Sequence, residues 1–198
     1  MFKTLTAFAL AATLATTPAV ACKMVGKNML FMDLIRIGER SYHEPVPLAM
    51  PNFSYQDAKG QQKTLADHAG KALIVTFWHP KCIGCKVDLP RLNSLLEDYP
   101  EFDADQFVQI SIENLDEGPR PQLTTPATVD KFLASKSYGE IDRNFDTGNE
   151  MFQASCLVAT PSHLMINSEG KVTDVLFGPL KWAEKPFIDI ARNFLANY

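Results

Sequence analysis

Two cysteines separated by two residues, at the junction of a strand and a helix, constrain this chain more than any other feature. The apolar run Ala72 to Phe77 is short and partly β-branched, which predicts a buried strand. Cys82-Ile83-Gly84-Cys85 follows after four residues. The segment from Cys82 or Ile83 to Asp98 has leucines at helical spacing and predicts a helix. The cysteine pair therefore lies in the first turn of that helix.

This position favours thiolate chemistry. The first turn of a helix has backbone N–H groups without intrahelical partners, and the positive end of the helix dipole lies there. A thiolate in this turn is stabilised, so its pKa falls below the usual value of about 8.5. Lys81 adds a positive charge beside Cys82. We expect Cys82 to be the more exposed, attacking thiolate and Cys85, one turn further, to be the resolving thiol.

A C-x-x-C pair is also half of a typical zinc site, but the other half is absent from this sequence. The remaining cysteines, Cys22 and Cys156, are isolated, and the four histidines include no H-x-x-H pair. The strand before the pair and the helix after it favour redox chemistry over zinc binding, and we expect no metal.

The bulk composition excludes one class of partner. The chain has 198 residues, 46% of them hydrophobic, which is enough for one sizeable core. Its formal net charge is −4, and no basic patch of the kind that nucleic-acid binding requires is present in the sequence. We therefore expect no nucleic-acid partner.

Residues 1–21 have the pattern of a signal peptide. Lys3 gives a positively charged N-terminal region, and Leu5 to Ala15 is an apolar stretch. Ala19-Val20-Ala21 forms an A-x-A cleavage site. No later apolar run is long enough to span a bilayer. We expect a periplasmic or otherwise extracytoplasmic protein, in a compartment where disulfides persist. An uncleaved signal acting as a membrane anchor is the alternative.

Cleavage after Ala21 would leave Cys22 as the first residue. Ala19 to Cys22 resembles the lipobox of bacterial lipoproteins, with Ala19 where Leu is usual, and this resemblance implies a lipid on Cys22. A free Cys22 thiol and a disulfide to Cys156 remain open. Residues 22–50 predict an N-terminal helix followed by a Pro-rich linker.

Residues 51–198 carry the elements of one α/β domain. The strand–helix–strand order around the cysteines implies a parallel pair of strands with one crossover. The segment 137–148 is polar and is expected to be irregular. The other expected elements are a hairpin (53–56 and 61–65), a second core strand (107–112), helices at 128–137 and 149–155, a terminal hairpin (162–167 and 172–177) and a closing helix (181–197).

The domain resembles the thioredoxin superfamily, and within it the TlpA/ResA-like periplasmic thiol–disulfide oxidoreductases. The resemblance covers about residues 51–198. It implies an α/β thioredoxin fold, with a central mixed β-sheet flanked by α-helices, an N-terminal β-hairpin and a helical insertion before a cis-proline. The motifs that carry it are Pro51-Asn52-Phe53, Gly60, Gly70-Lys71, Phe77-Trp78, Cys82-Ile83-Gly84-Cys85 with Lys86 and Pro90, Thr160-Pro161, and Asn167 to Lys171.

The resemblance also implies roles for individual residues. Cys82 and Cys85 would be catalytic, and their redox-active disulfide would replace any other cofactor. A cis Thr160–Pro161 bond beside Cys82 would expose backbone to an extended partner peptide, with Thr160 bonding that peptide. Substrate contact is expected from Trp78, Thr160 and Pro161, and tuning of the thiol pKa from Lys81, Ile83 and Gly84.

The proton acceptor for Cys85 is not identified by the sequence. Thioredoxin has a buried Asp in the strand before its motif, and Thr76 holds that position here. Asp88 is expected to be a surface or helix-capping group, and Glu113 is a weaker candidate for the base.

The expected activity is exchange with protein thiols and disulfides, most simply protein-disulfide reduction. In this family the partner is most often apocytochrome c, and a DsbD-like membrane thiol reductant supplies electrons. Ile83-Gly84 is neither the Gly-Pro of thioredoxin nor the Pro-His of the DsbA oxidant, so a disulfide-donating oxidant is an alternative.

Three other classes of protein share part of this pattern. A peroxiredoxin-like peroxidase would need P-x-x-x-T-x-x-C, which is absent. A copper-binding Sco-like chaperone would have C-x-x-x-C and a distant His. The spacing here is one residue shorter, although His163 and His79 are expected to lie near the site. A purely structural disulfide in so short a loop restrains the unfolded chain little.

The isolated Cys156 has two interpretations. It could act as a third redox thiol or be a buried apolar residue.

Overall fold

The computed structural model of this protein describes residues 48–49, 54–116, 121–155 and 157–198. The predicted signal peptide, the N-terminal helix, Cys22 and Cys156 lie outside the described residues and stay predictions.

An eight-stranded mixed β-sheet forms the centre of the fold. The strands are β1 (Leu48–Ala49), β2 (Ser54–Gln56), β3 (Gln62–Thr64), β4 (Leu73–Trp78), β5 (Phe107–Ile112), β6 (Asn114–Leu115), β7 (Gln122–Leu123), β8 (Asn144–Asp146), β9 (Ser162–Ile166) and β10 (Lys171–Phe177). The helices are α1 (Ile83–Asp98), α2 (Pro126–Lys136), α3 (Glu150–Ala154) and α4 (Lys185–Asn197). The large sheet has the order β1-β10-β9-β4-β5-β8-β2-β3, and β6 pairs with β7 separately.

The three central strands set the register of the sheet. β4 runs parallel to β5, with Val75 opposite Val108, and antiparallel to β9, with Val75 opposite Leu164. Every residue of these three strands is buried. A strand that is covered on both faces has a nearly continuous run of apolar residues instead of an alternation of apolar and polar residues. Such a run predicted β4. The predicted parallel crossover, the N-terminal hairpin β2–β3 and the terminal hairpin β9–β10 are confirmed.

Helices cover both faces of this sheet. Neighbouring side chains of a strand point to opposite faces. Phe77 contacts Phe152 of α3, with ring centroids 5.7 Å apart. Ile74, on the opposite face of β4, lines a small cavity with Met165 of β9 and Ala191 of α4. The expected thioredoxin fold, a mixed sheet flanked by helices, is confirmed.

The expectation that residues 137–148 are irregular is wrong in part, because β8 is a buried strand of the main sheet beside β5. Its polar side chains are used inside the fold. Asp146 accepts hydrogen bonds from the backbone N–H groups of Met151 and Phe152, at 3.1 and 2.8 Å, and so holds the start of α3. Asp146 is polar at a buried position because its carboxylate satisfies backbone donors that would otherwise be buried without partners.

Within the ranges that the structure describes, no helix is both long enough and apolar enough to cross a membrane.

Candidate active site

Cys82 is the N-cap residue of α1. Its backbone is extended (φ −64°, ψ 127°), and its Sγ accepts a hydrogen bond from the backbone N–H of Cys85 at 3.1 Å. The two cysteines form a disulfide, with Cα atoms 5.3 Å apart. The first turn of α1 contains no acidic residue. A thiolate at Cys82 would therefore meet an unpaired N–H and the positive end of the helix dipole, which lowers the pKa of a thiol.

The exposure expected of Cys82 is not found in this disulfide-bonded state. Cys82 and Cys85 are each only 1% exposed. The residues beside Cys82 are open instead: Lys81 is exposed, and Ile83 is 79% exposed. Burial therefore does not separate the roles of the two cysteines, whereas the N-cap position of Cys82 does.

The Thr160–Pro161 peptide bond is cis and lies against the disulfide. Cys82 Sγ is 3.3 Å from the carbonyl oxygen of Thr160, and the buried hydroxyl oxygen of Thr160 has no hydrogen-bond partner within the part of the chain that the structure describes. A Cβ atom on Gly84 would lie 3.0 Å from Pro161 Cδ, closer than nine in ten real Cβ contacts. The loop carrying Pro161 can thus approach α1 this closely because residue 84 is a glycine. The predicted tuning roles of Lys81, Ile83 and Gly84 stay predictions.

Trp78 does not lie where a substrate could touch it. The side chain has no exposed surface, and its ring centroid is 5.8 Å from that of Phe132 in α2. The expectation that Trp78 contacts the substrate is therefore corrected, because its ring fills the core between β4 and α2.

Asp88 is buried, contrary to the expectation of a surface or capping group. It follows Cys85 by three residues, so the two side chains share the buried face of α1. Asp88 Oδ1 accepts hydrogen bonds from Leu180 N at 2.7 Å and from Trp182 Nε1 at 3.0 Å, whereas Oδ2 is buried without a partner among the described residues. Burial raises the pKa of this carboxyl above its usual value.

His163 lies beside Asp88. The hydroxyl of Thr76 is 3.0 Å from His163 Nδ1, and His163 Nε2 is 3.2 Å from the carbonyl oxygen of Gly178 and 3.7 Å from Asp88 Oδ1. Because Nε2 faces two acceptors, it carries the hydrogen of the neutral ring, and the Thr76 hydroxyl donates to Nδ1. Burial lowers the pKa of His163 below its usual value.

A second histidine, His79, lies between β4 and the cysteines and is also fully buried. Its Nδ1 accepts a hydrogen bond from the backbone N–H of Lys81 at 3.1 Å. Burial, with a smaller contribution from the Lys81 charge, lowers the pKa of His79 to about 4. Glu113, the weaker candidate for the base, instead accepts a hydrogen bond from Gly148 N at 2.6 Å.

Among the described residues, no group of three or more His, Cys, Asp or Glu side chains could hold a metal ion.

Asp88 and the loop from Gly178 to Trp182 are the parts of the site that sequence reasoning missed. The loop lies between β10 and α4 and contacts three parts of the site. Gly178 N donates to Pro161 O at 2.9 Å, and Leu180 N donates to Asp88. Pro179 Cδ would lie 3.6 Å from a Cβ on Gly84. The spacing of three between Cys85 and Asp88 was the available signal for Asp88, since it places both side chains on one helix face.

Comparison with known proteins agrees with this geometry. Residues 46–175 match the family model described as the AhpC/TSA family. The thiol–disulfide oxidoreductase ResA of Bacillus subtilis is 31% identical over 134 residues, which cover 66% of this chain and 66% of that relative, or about two thirds of its length.

Solved structures show the same fold. StoA from Bacillus subtilis aligns with a TM-score of 0.50 and 18% identity, over 71% of this chain and 99% of that one. The pneumococcal exposed lipoprotein thioredoxin Etrx1 from Streptococcus pneumoniae aligns with a TM-score of 0.55 and 18% identity. This alignment covers 72% of this chain and 98% of that one. The chain belongs to the AhpC/TSA family of thioredoxin-like proteins, and its sequence relatives include thiol–disulfide oxidoreductases.

Proposed function

We propose that this protein is an exported thiol–disulfide oxidoreductase that reduces protein disulfides through Cys82 and Cys85. The observation that carries the proposal is the position of Cys82 Sγ. This atom is the N-cap acceptor of α1 and also lies 3.3 Å from the Thr160 carbonyl, at the backbone where an extended peptide can bind. The relationship to ResA supports the same reaction class.

In the first step, the Cys82 thiolate attacks one sulfur of a partner disulfide. A bond forms between Cys82 Sγ and that sulfur, and the partner's own S–S bond breaks. Its electron pair leaves with the second partner sulfur, which then takes a proton from water. The N–H of Cys85 and the helix dipole stabilise the attacking thiolate.

In the second step, Cys85 loses its proton and attacks Cys82 Sγ. The Cys82–Cys85 bond forms, and the remaining partner sulfur leaves with the electron pair and is protonated. The partner disulfide gains two electrons, and the dithiol of this protein is oxidised. Asp88 is the acceptor that we propose for the Cys85 proton, because it lies one turn beyond Cys85 and its Oδ2 is free of hydrogen bonds.

Two cysteine variants test this order of events. We expect Cys82→Ala to abolish exchange, because the attacking thiolate is missing. Cys85→Ala should instead accumulate mixed disulfides, because attack still occurs but resolution does not. Insulin reduction and non-reducing gel analysis of protein mixtures measure the two effects. Full activity of Cys82→Ala would refute the assignment, and the Cys85→Ala protein serves as the matched control.

The direction of exchange is tested by the reduction potential of the Cys82–Cys85 pair in defined thiol buffers. A reductant should equilibrate near the thioredoxin value of about −270 mV, and an oxidant near the DsbA value of about −120 mV. A reductant of this kind needs an electron supply, for which we propose a DsbD-like membrane thiol reductant. Apocytochrome c is the protein substrate that we propose first.

Location and anchoring belong to the same proposal. A signal peptide over residues 1–21 would export the protein, and a lipid on Cys22 or an uncleaved signal would anchor it. Detergent-phase partitioning of the wild type and of Cys22→Ala tests the lipid. If Cys22 carries a lipid, the wild type should enter the detergent phase and the variant should not.

A further inference from the structure

We propose that His163 is a positioning residue for disulfide exchange, which holds Asp88 in the ionised form that accepts the proton of Cys85. This inference rests on the proposed function and deepens it. It concerns the second step alone, the resolution of the mixed disulfide.

Three groups that favour the ionised form of Asp88 lie around one of its oxygens. Two N–H donors, from Leu180 and Trp182, point at Oδ1, and His163 Nε2 lies 3.7 Å from the same oxygen. Hydrogen bonds donated to a carboxylate favour its charged form. Complete burial acts in the opposite direction. Whether Asp88 is ionised at neutral pH therefore depends on the third group, His163.

His163 can take up the proton that Asp88 gives up. An unpaired carboxylate and an unpaired imidazolium are each costly in the interior, so the two groups hold one proton between them. Nε2 already carries a hydrogen, so the additional proton is taken at Nδ1. The Thr76 hydroxyl lies 3.0 Å from Nδ1 and can change from donor to acceptor when this happens. With the proton on His163, Asp88 is a carboxylate with Oδ2 available.

Among the residues that the structure describes, few other charged groups act on Asp88. From its own helix, Arg91 lowers the pKa of the carboxyl, as His163 does from β9. The neighbouring loop contributes only the backbone N–H of Leu180 and the indole N–H of Trp182. Arg91 is directed elsewhere, since its guanidinium donates to the carbonyl oxygen of Leu180 at 3.2 Å. His163 is therefore the group whose removal should change the ionisation of Asp88 most.

The proton and the electrons of this step balance. Cys85 Sγ–H gives its proton to Asp88 Oδ2, and the resulting thiolate attacks Cys82 Sγ. The Cys82–Cys85 bond forms while the bond from Cys82 to the partner sulfur breaks, and the electron pair leaves with the partner. Asp88 later returns its proton to solvent.

The test is the pH dependence of resolution in a single turnover. Reduced full-length protein is mixed with 5,5′-dithiobis(2-nitrobenzoate), and the second release of nitrothiobenzoate reports the attack of Cys85 on the mixed disulfide. This phase does not depend on reagent concentration, unlike the first. We expect His163→Gln, which keeps an N–H donor for Gly178, to move the midpoint of the profile about one unit to higher pH. Below the midpoint, resolution should then be about tenfold slower.

Three further variants separate this role from a structural one. Asp88→Asn should remove the part of the pH profile that depends on Asp88. Adding His163→Gln to Asp88→Asn should then cause no further shift of the midpoint. Thr76→Val, which removes the Nδ1 partner and leaves His163 in place, should shift the midpoint in the same direction by less. Asn93→Ser is the matched control. Asn93 is a buried residue of α1 that accepts a hydrogen bond from Glu140 N at 3.1 Å, so its loss should lower stability without moving the midpoint.

The outcomes are distinct. A folded His163→Gln protein with an unchanged midpoint overturns the inference, and so does an equal shift in the Asp88→Asn background or in Asn93→Ser. If His163→Gln does not fold, the Thr76→Val profile decides. Absence of any exchange in the wild type would instead reject the proposed function itself.

Discussion

His79 should make the folded protein sensitive to acid. Its pKa is lowered from 6.5 to about 4 in the folded state. Between these two values the unfolded chain binds more protons than the folded one, so the free energy of unfolding falls as the pH falls through this window. We propose His79→Asn as the perturbation. The Asn Oδ1 can accept the Lys81 N–H in a turn of the same size, and it does not titrate.

The magnitude follows from the two pKa values. A shift from 6.5 to about 4 implies that the imidazole lowers stability by about 2.5 kcal/mol between about pH 7.5 and about pH 4.5. The stability of the variant relative to wild type should therefore rise by this amount on acidification, whatever constant cost the smaller side chain adds. Comparing the two proteins at each pH also cancels other titrating groups, such as Asp142, whose raised pKa acts in the opposite direction.

Urea unfolding of the oxidised protein, followed by far-UV circular dichroism at a series of pH values, measures this difference. Lys81→Gln removes the smaller cause of the shift, so its acid sensitivity should be slightly weaker than that of wild type. Asn93→Ser, which changes no titrating group, should differ from wild type by a constant amount. A pH-independent difference between His79→Asn and wild type would refute the reasoning, because it would show that His79 titrates alike in both states.

The elements with a strong local pattern could be predicted from the sequence. The apolar strand β4, the leucine spacing of α1 and the position of the cysteines at their junction are local properties, and they place the cysteine pair correctly at the start of α1. Terminal hairpins could be located because their turn residues lie next to the paired strands. The predicted bounds of some elements differ from the structure by a few residues, as in α4, which begins at Lys185 rather than Lys181.

The remainder depends on contacts between distant parts of the chain. Asp88 looked like a surface residue because it is charged, yet its partners Leu180 and Trp182 lie more than ninety residues later. β8 looked irregular because most of its residues are polar, whereas its place in the sheet depends on pairing with β5, more than thirty residues earlier. In both cases the burial of a polar residue follows from its contacts with a distant part of the chain, so it could not be inferred from the local sequence.

Three further predictions test packing and electrostatics elsewhere in the domain. Leu92→Ala, at a fully buried position of α1, should lower the free energy of unfolding by about 3 kcal/mol in urea titrations, and no loss would contradict the packing described. Gly84→Ala should cost about 1–3 kcal/mol and slow exchange, because the new Cβ pushes on Pro161, whereas the control Gly139→Ala, with no atom within 4 Å of its Cβ, should do neither. Asp142→Asn should raise stability at neutral pH. The pKa of this carboxyl is raised to about 6 by burial, so the stability that its protonated form provides is present below 3.8 and is lost as the pH rises through 6. Asn cannot ionise, and its Oδ1 can still accept from Gln109 N and from the Asn144 side chain. The variant should therefore gain about 2 kcal/mol relative to wild type between pH 4 and 7.5, after allowance for partial exposure. A gain that is already complete at pH 4 would show that the ionisation of Asp142 is not its cause.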